Sequence, residues 1–153
     1  MDKAKILARS ELFKTLPPAA LAAVAAKCEA VRFKEAEPLA VEGRAGDALY
    51  VIAEGHVDYV KRMDEKSGLV LLRWGPGDVV GLNPVMEGGA HHVSALAVTP
   101  VKCLRLAADD LRALRAADPS LEHRVLAQTL LIQSGRLRQI TVRLREFLAK
   151  IIK

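Results

Sequence analysis

The chain has 153 residues, 51% of them apolar and 27% charged, the proportions of an ordinary folded domain and not of a disordered or fibrous chain. Its longest apolar run, residues 19–26, falls far short of the roughly 20 residues that span a bilayer. The first ten residues carry no secretory signal pattern, so a cytoplasmic protein without membrane contact is expected. The net charge of +5 is local: between Arg136 and Lys153 six basic residues face one acidic residue, while the other 135 residues carry 17 of each sign. The charge therefore marks a basic C-terminal tail, read as a solvated face, and is weak ground for nucleic-acid binding.

Residues 1–30 read as helical. "LARSELFKTL" and "PPAALAAVAAKCEAV" are rich in Ala and Leu, and Pro17–Pro18 suit a helix start. From Val31 to Leu106 the texture changes to short apolar runs such as "AVRF", "ALYVIAEG", "LVLLRW" and "VKCLRL". Turn signals separate them about every 8 to 12 residues, the spacing of an all-β barrel or sandwich. "MDEKSG", polar and closed by Gly68, is a hairpin loop.

After Leu106 the helical pattern returns in "AADDLRALRAA", whose Asp109 and Asp110 suit the positive end of a helix dipole. Asp118–Pro119 opens the last segment. There Leu126, Leu130, Gln133, Leu137, Ile140, Leu144, Phe147 and Ile151 follow alternating steps of four and three, a heptad seam that predicts homodimerisation through this helix. Gln133 would fix its register, and Gly135 would allow a bend. A second stripe, Val125, Leu131, Val142, Leu148 and Ile152, is expected to pack on the chain's own domain. The chain thus divides into residues 1–118, a β domain with flanking helices, and 119–153, a dimerisation helix.

Candidate chemistry is sparse. Cys28 and Cys103 lie 75 positions apart without a metal-ligand partner and read as buried free thiols in a reducing compartment. Adjacent His91 and His92 on a strand would point to opposite faces and cannot share a metal; His56 and His123 have no ligand spacing with them. No metal site, nucleophile–base pair or enzymatic activity is expected.

At residue level, "FKEAEPLAVEGRAGDALYVIAEGHVDYV" (Phe33–Val60), then "PGDVVGL", preceded by "LARSELFKTLPPAALAAVA", resembles the effector-binding half of the catabolite-activator (CRP/FNR-like) family, a cyclic-nucleotide-binding domain. The similarity runs over about residues 6–150. It implies a mainly β fold with flanking α: a double-stranded β-helix, or jelly-roll-like β-roll, with N-terminal helices and a long C-terminal helix. Within that fold Gly46, Gly55, Gly77 and Gly81 fall where a tight roll needs positive φ or close backbone approach. Leu49, Val51, Val57 and Tyr59 alternate as an inward face should. Ala36 stands where the family often has Gly.

The resemblance also places a phosphate-binding cassette over Gly81, Leu82, Asn83, Pro84, His91, His92, Val93, Ser94 and Ala95. The family opens it with Gly-Glu, whose carboxylate takes the ribose hydroxyl, and closes it with an Arg that forks onto the cyclic phosphate. Here Gly81 is kept, but Leu82 holds the Glu position and Val93 the Arg position. Asn83–Pro84 reads as the N-cap and first position of a short helix and Ser94 as one remaining hydroxyl; His91–His92 read as a solvated loop beside the missing Arg or, with a loop shift of one or two residues, as a conditional imidazole substitute at the phosphate position.

Losing the fork costs roughly 2 to 5 kcal/mol and the ribose contact on the order of 1 to 3 more, together about a hundredfold to a millionfold in affinity. A cyclic nucleotide stays a candidate cofactor only with weakened affinity. The expected function is a stand-alone regulatory ligand-sensing module in signal transduction. The alternative is a ligand-free dimeric scaffold or regulatory subunit on the same fold. DNA-binding relatives carry a helix-turn-helix after the long helix, and the 153 residues leave no room for one, so this chain alone is not expected to bind DNA specifically. Its effector and partner protein are not named by the sequence.

Overall fold

The computed structural model of the chain describes residues 1–152; Lys153, the last of the six basic residues in the tail, lies outside them. Two N-terminal helices, α1 (Lys3–Ala8) and α2 (Pro18–Lys27), precede eight strands. These are β1 (Glu29–Phe33), β2 (Pro38–Ala40), β3 (Ala48–Glu54), β4 (Val57–Arg62), β5 (Gly68–Trp74), β6 (Val79–Val80), β7 (Ser94–Ala97) and β8 (Val101–Ala107). A short helix α3 (Leu82–Glu87) interrupts them between β6 and β7. Helices α4 (Ala108–Ala117) and α5 (Pro119–Ile152) close the chain. Each apolar run read from the sequence forms one strand, and the strands make two four-stranded antiparallel sheets in the orders β1-β8-β3-β6 and β2-β7-β4-β5. This is the expected β-roll.

Two cores hold it together. Inside the roll, Ile52, Val80 and Cys103 of the first sheet meet Val57, Trp74 and Ala97 of the second. On the outer face of the first sheet, Leu49, Val51 and Leu104 meet Phe13, Val24 and Leu121 from the loops and helices. The expected single inward face is therefore corrected. Leu49 and Val51 face the helices, whereas Val57 and Tyr59 face the roll interior, because β3 is covered on both sides.

Local chemistry sets the element ends. Pro18 begins α2 at its first position. Asp64 accepts from the backbone N–H of Lys66 and Ser67 and closes the β4–β5 hairpin loop. Asp118 caps α5 by accepting from the N–H of Ser120 and Leu121. "LARSELFKTL" is helical only as far as Ala8. Its Ser10 hydroxyl donates to the Leu7 carbonyl and accepts from the Phe13 N–H, and the Glu11 N–H goes to the Gly77 carbonyl, so the backbone turns there.

Helix α5 is continuous through Gly135. Its buried positions are Leu121, Val125, Ile132 and Arg136. Of the second stripe expected to pack on the domain, only Val125 does so; Leu131 and Ile152 are 62% and 80% exposed, and Val142 and Leu148 are also exposed. The reason is geometric: the body of the roll buries one arc of α5 only up to Arg136, and beyond it the helix meets the chain only loosely, along β5 on the side of Ile140, Leu144 and Phe147. No helix among the described residues is long and apolar enough to cross a membrane.

Candidate functional site

A cavity of ≈ 200 Å³ lies between the turn from β6 into α3, the β4–β5 hairpin and α5. The turn exists because Gly81 takes φ 83°, and a Cβ there would sit 3.0 Å from the Ala48 carbonyl oxygen. Gly81, not Asn83, is the N-cap of α3; Asn83 and Pro84 both fall inside its first turn. Pro84 is buried against Gly46, where any Cβ would come within 2.2 Å of the proline ring. These two glycines fix the cassette backbone.

The side chains then decide what that backbone can hold. Leu82 is 1% exposed and belongs to the helix-side core with Leu49, Val79 and Val85, so a hydrocarbon fills the place expected for a carboxylate in this family. Val93 stands half-buried on the cavity wall, beside buried Ala95. Ser94 is not part of that wall: its Oγ accepts from the Glu42 N–H at 3.0 Å and ties β7 to the end of β2.

The histidines separate. His91 packs half-buried beside Gly46 and Gly81 and is held by backbone bonds to Arg44 and Gly43, which corrects its reading as a solvated loop residue. Burial lowers its pKa from the ordinary value, with Asp47 opposing. His92 is exposed, and its carbonyl accepts from Lys61 Nζ.

The opposite wall comes from α5, and reading the sequence missed it. The Gln133 side chain donates through Nε2 to Asn83 Oδ1, joining α5 to α3. Gln133 is thus turned toward its own cassette. Ile140 lines the same cavity. Arg136, counted by sequence with the solvated tail, is 8% exposed. Its Nη2 donates to the Val79 carbonyl and to Glu11 Oε1, the latter at 3.2 Å. Its guanidinium carbon lies 4.7 Å from the Trp74 ring centroid and 5.8 Å from that of Tyr59. The two rings meet edge to face at 5.2 Å. Glu11 also accepts from the Val79 N–H, and its burial raises its pKa despite these bonds. The signal for Arg136 was its step of four from Ile132, on the apolar face of the helix.

The heptad seam is divided. Ile140, Leu144 and Phe147 border a second cavity of ≈ 170 Å³ against Leu69 and Leu71 of β5. Leu126, Leu130, Leu137 and Ile151 are exposed, Leu130 and Leu137 by 71% and 67%. Among the described residues no three His, Cys, Asp or Glu side chains gather as a metal site would require.

Comparison with known proteins agrees with this geometry. Residues 30–118 match the family model described as cyclic nucleotide-binding domain. The chain is 32% identical over 129 residues to a CRP-like cAMP-activated global transcriptional regulator of Mycobacterium tuberculosis, covering 82% of this chain and 58% of that protein. It therefore spans somewhat over half of that relative's length. A cyclic nucleotide-binding domain from Methylobacillus flagellatus superposes with a TM-score of 0.80 at 24% identity, over 92% of this chain and 79% of the other. The regulatory subunit of a cAMP-independent protein kinase A from Trypanosoma brucei, solved as a mutant bound to cAMP, superposes with a TM-score of 0.77 at 20% identity, over 95% of this chain and 50% of the other.

Proposed function

Because this chain belongs to the cyclic nucleotide-binding domain family, we propose that it is a non-catalytic regulatory module that senses a small molecule in the cavity between α3 and α5. The observation that carries this reading is the shared wall: Asn83 of the cassette and Gln133 of α5 are hydrogen-bonded to each other across it. A ligand seated there touches the β-roll and the long helix at once, and so has a direct way to bias how α5 is held.

Cyclic nucleotides bind weakly or not at all in this reading, since Leu82 and Val93 supply neither a carboxylate nor a guanidinium. The Mycobacterium relative is cAMP-activated, whereas the Trypanosoma relative is described as cAMP-independent, so the family accommodates both behaviours. The output passes through residues 119–152, with homodimerisation along the exposed Leu126, Leu130 and Leu137 face of α5. The wider partners of the module are left to the protein in which it acts.

A second reading, a dimeric scaffold with a lapsed site, is favoured by the burial of Leu82 in the core. Untargeted mass spectrometry of small molecules released from the purified protein separates the two. A recurrent compound at near-equimolar amount supports sensing; repeatedly empty protein supports the scaffold.

A further inference from the structure

We infer that the cavity between α3 and α5 takes a small, electrically neutral molecule with an apolar body and one carboxamide or lactam group, read by Asn83 and Gln133. This rests on the sensing role proposed above and specifies what is sensed.

Charge is the first argument. Among the described residues Arg136 is the one guanidinium on the wall, and its charge is already balanced: Nη2 serves Val79 and Glu11, and Trp74 and Tyr59 lie against its planar group, while its Nε is buried without a hydrogen-bond partner. With Glu11 it forms a neutral pair. Lys61 is held outside by Glu42 and the His92 carbonyl. The half-buried His91 imidazole is biased to its neutral form by burial. An anion entering here would lose its hydration and meet, among the described residues, only a guanidinium whose charge Glu11 already balances, which is a net cost.

Shape and polarity supply the second. Leu71, Leu72, Val80, Val93 and Ile140 give the cavity apolar walls, and ≈ 200 Å³ is somewhat more than the ~150 Å³ apolar cavity that accommodates benzene. The space suits one ring with a small polar substituent.

The amide pair supplies the third. Once Gln133 Nε2 has donated to Asn83 Oδ1, Asn83 keeps an NH2 donor and Gln133 keeps a carbonyl acceptor. No other side-chain hydrogen bond uses either group among the described residues. A ligand amide, with one acceptor and one donor on adjacent atoms, complements that arrangement. A carboxylate, with acceptors alone, leaves the Gln133 carbonyl facing an oxygen.

The test is NMR titration of the 15N-labelled full chain with benzamide, with benzoate, which has the same shape but bears a charge, and with cAMP. Benzamide is expected to move the Asn83 and Gln133 side-chain amide signals and the Ile140 backbone signal with a dissociation constant in the millimolar range, the range open to so small a ligand. Benzoate is expected to bind at least about tenfold more weakly. Gln133→Leu should erase the preference, and Val93→Arg, which adds a free cation to the wall, should reverse it. Benzoate or cAMP binding as tightly as benzamide overturns this inference and leaves the sensing role standing. No shift from any of the three also overturns this inference, while the sensing role is decided by the compounds released from the purified protein.

Discussion

Arg136 and Glu11, 125 positions apart, meet at 3.2 Å, and both also grip Val79, one through its carbonyl and the other through its N–H. One clasp thus holds α5, the N-terminal loop and the strand that leads into the cassette. Breaking a buried pair from one side costs roughly 3–5 kcal/mol, and the partial exposure of Glu11 lowers that. Arg136→Ala should lose about 2–4 kcal/mol in urea denaturation. Adding Glu11→Gln should restore part of the loss by removing the stranded carboxylate. Arg138→Ala, on the exposed side of the same helix, should change stability by less than about 0.5 kcal/mol.

Ala36 has φ 72°, the left-handed region where a Cβ is crowded, at the position where the family often has Gly. Its N–H still donates to the Ala97 carbonyl at 2.8 Å, so the turn is kept despite the strain. Ala36→Gly should stabilise the protein by about 0.5–1 kcal/mol, the relieved strain exceeding the added freedom of the unfolded chain. A denaturation midpoint that falls would contradict this.

Both cysteines are buried, and burial pushes the Cys28 thiol up to about 11 and the Cys103 thiol to about 12, from an ordinary 9.0. Above pH 9.0 the unfolded chain releases thiol protons that the folded chain keeps, so the unfolded state binds fewer protons and stability falls as pH rises. The slope approaches about 1.4 kcal/mol per pH unit for each thiol until its folded pKa is reached. The urea midpoint should therefore drop between pH 9 and 11. The drop should be shallower in Cys28→Ala/Cys103→Ala; an equal drop in both proteins would place its origin elsewhere.

The exposed face of α5 gives the dimer proposal its own test. Leu130 and Leu137 carry the largest exposures on the seam, and neither contributes to the buried cores. Leu130→Glu/Leu137→Glu should give a folded monomer in sedimentation velocity, whereas the unchanged chain should sediment as a dimer. A dimer that survives the double substitution would put the interface on another surface.

The strands were legible because each is a short apolar run bounded by Gly, Asp or Pro, and that punctuation is local. So was the cassette backbone around Gly81, because its motifs stand in a recognisable order. The α3 cap was misplaced because Asn-Pro is a good helix start by itself, while the left-handed freedom of Gly81 starts the helix two residues earlier. Ser10 ended a segment whose composition favours helix, through hydroxyl bonds that composition does not register. Arg136 and Gln133 were hidden for a different reason. Their partners, Glu11 and Asn83, lie 125 and 50 positions away, and a heptad pattern says which residues share a helix face without saying what that face meets.

The central claim is that the cavity keeps the shape of a cyclic-nucleotide cassette without its charged grips. Isothermal titration calorimetry of the full chain with cAMP tests it most directly. No saturable heat at micromolar ligand, and a dissociation constant above about 1 mM, is the predicted result. A one-site isotherm with a low-micromolar constant would contradict it.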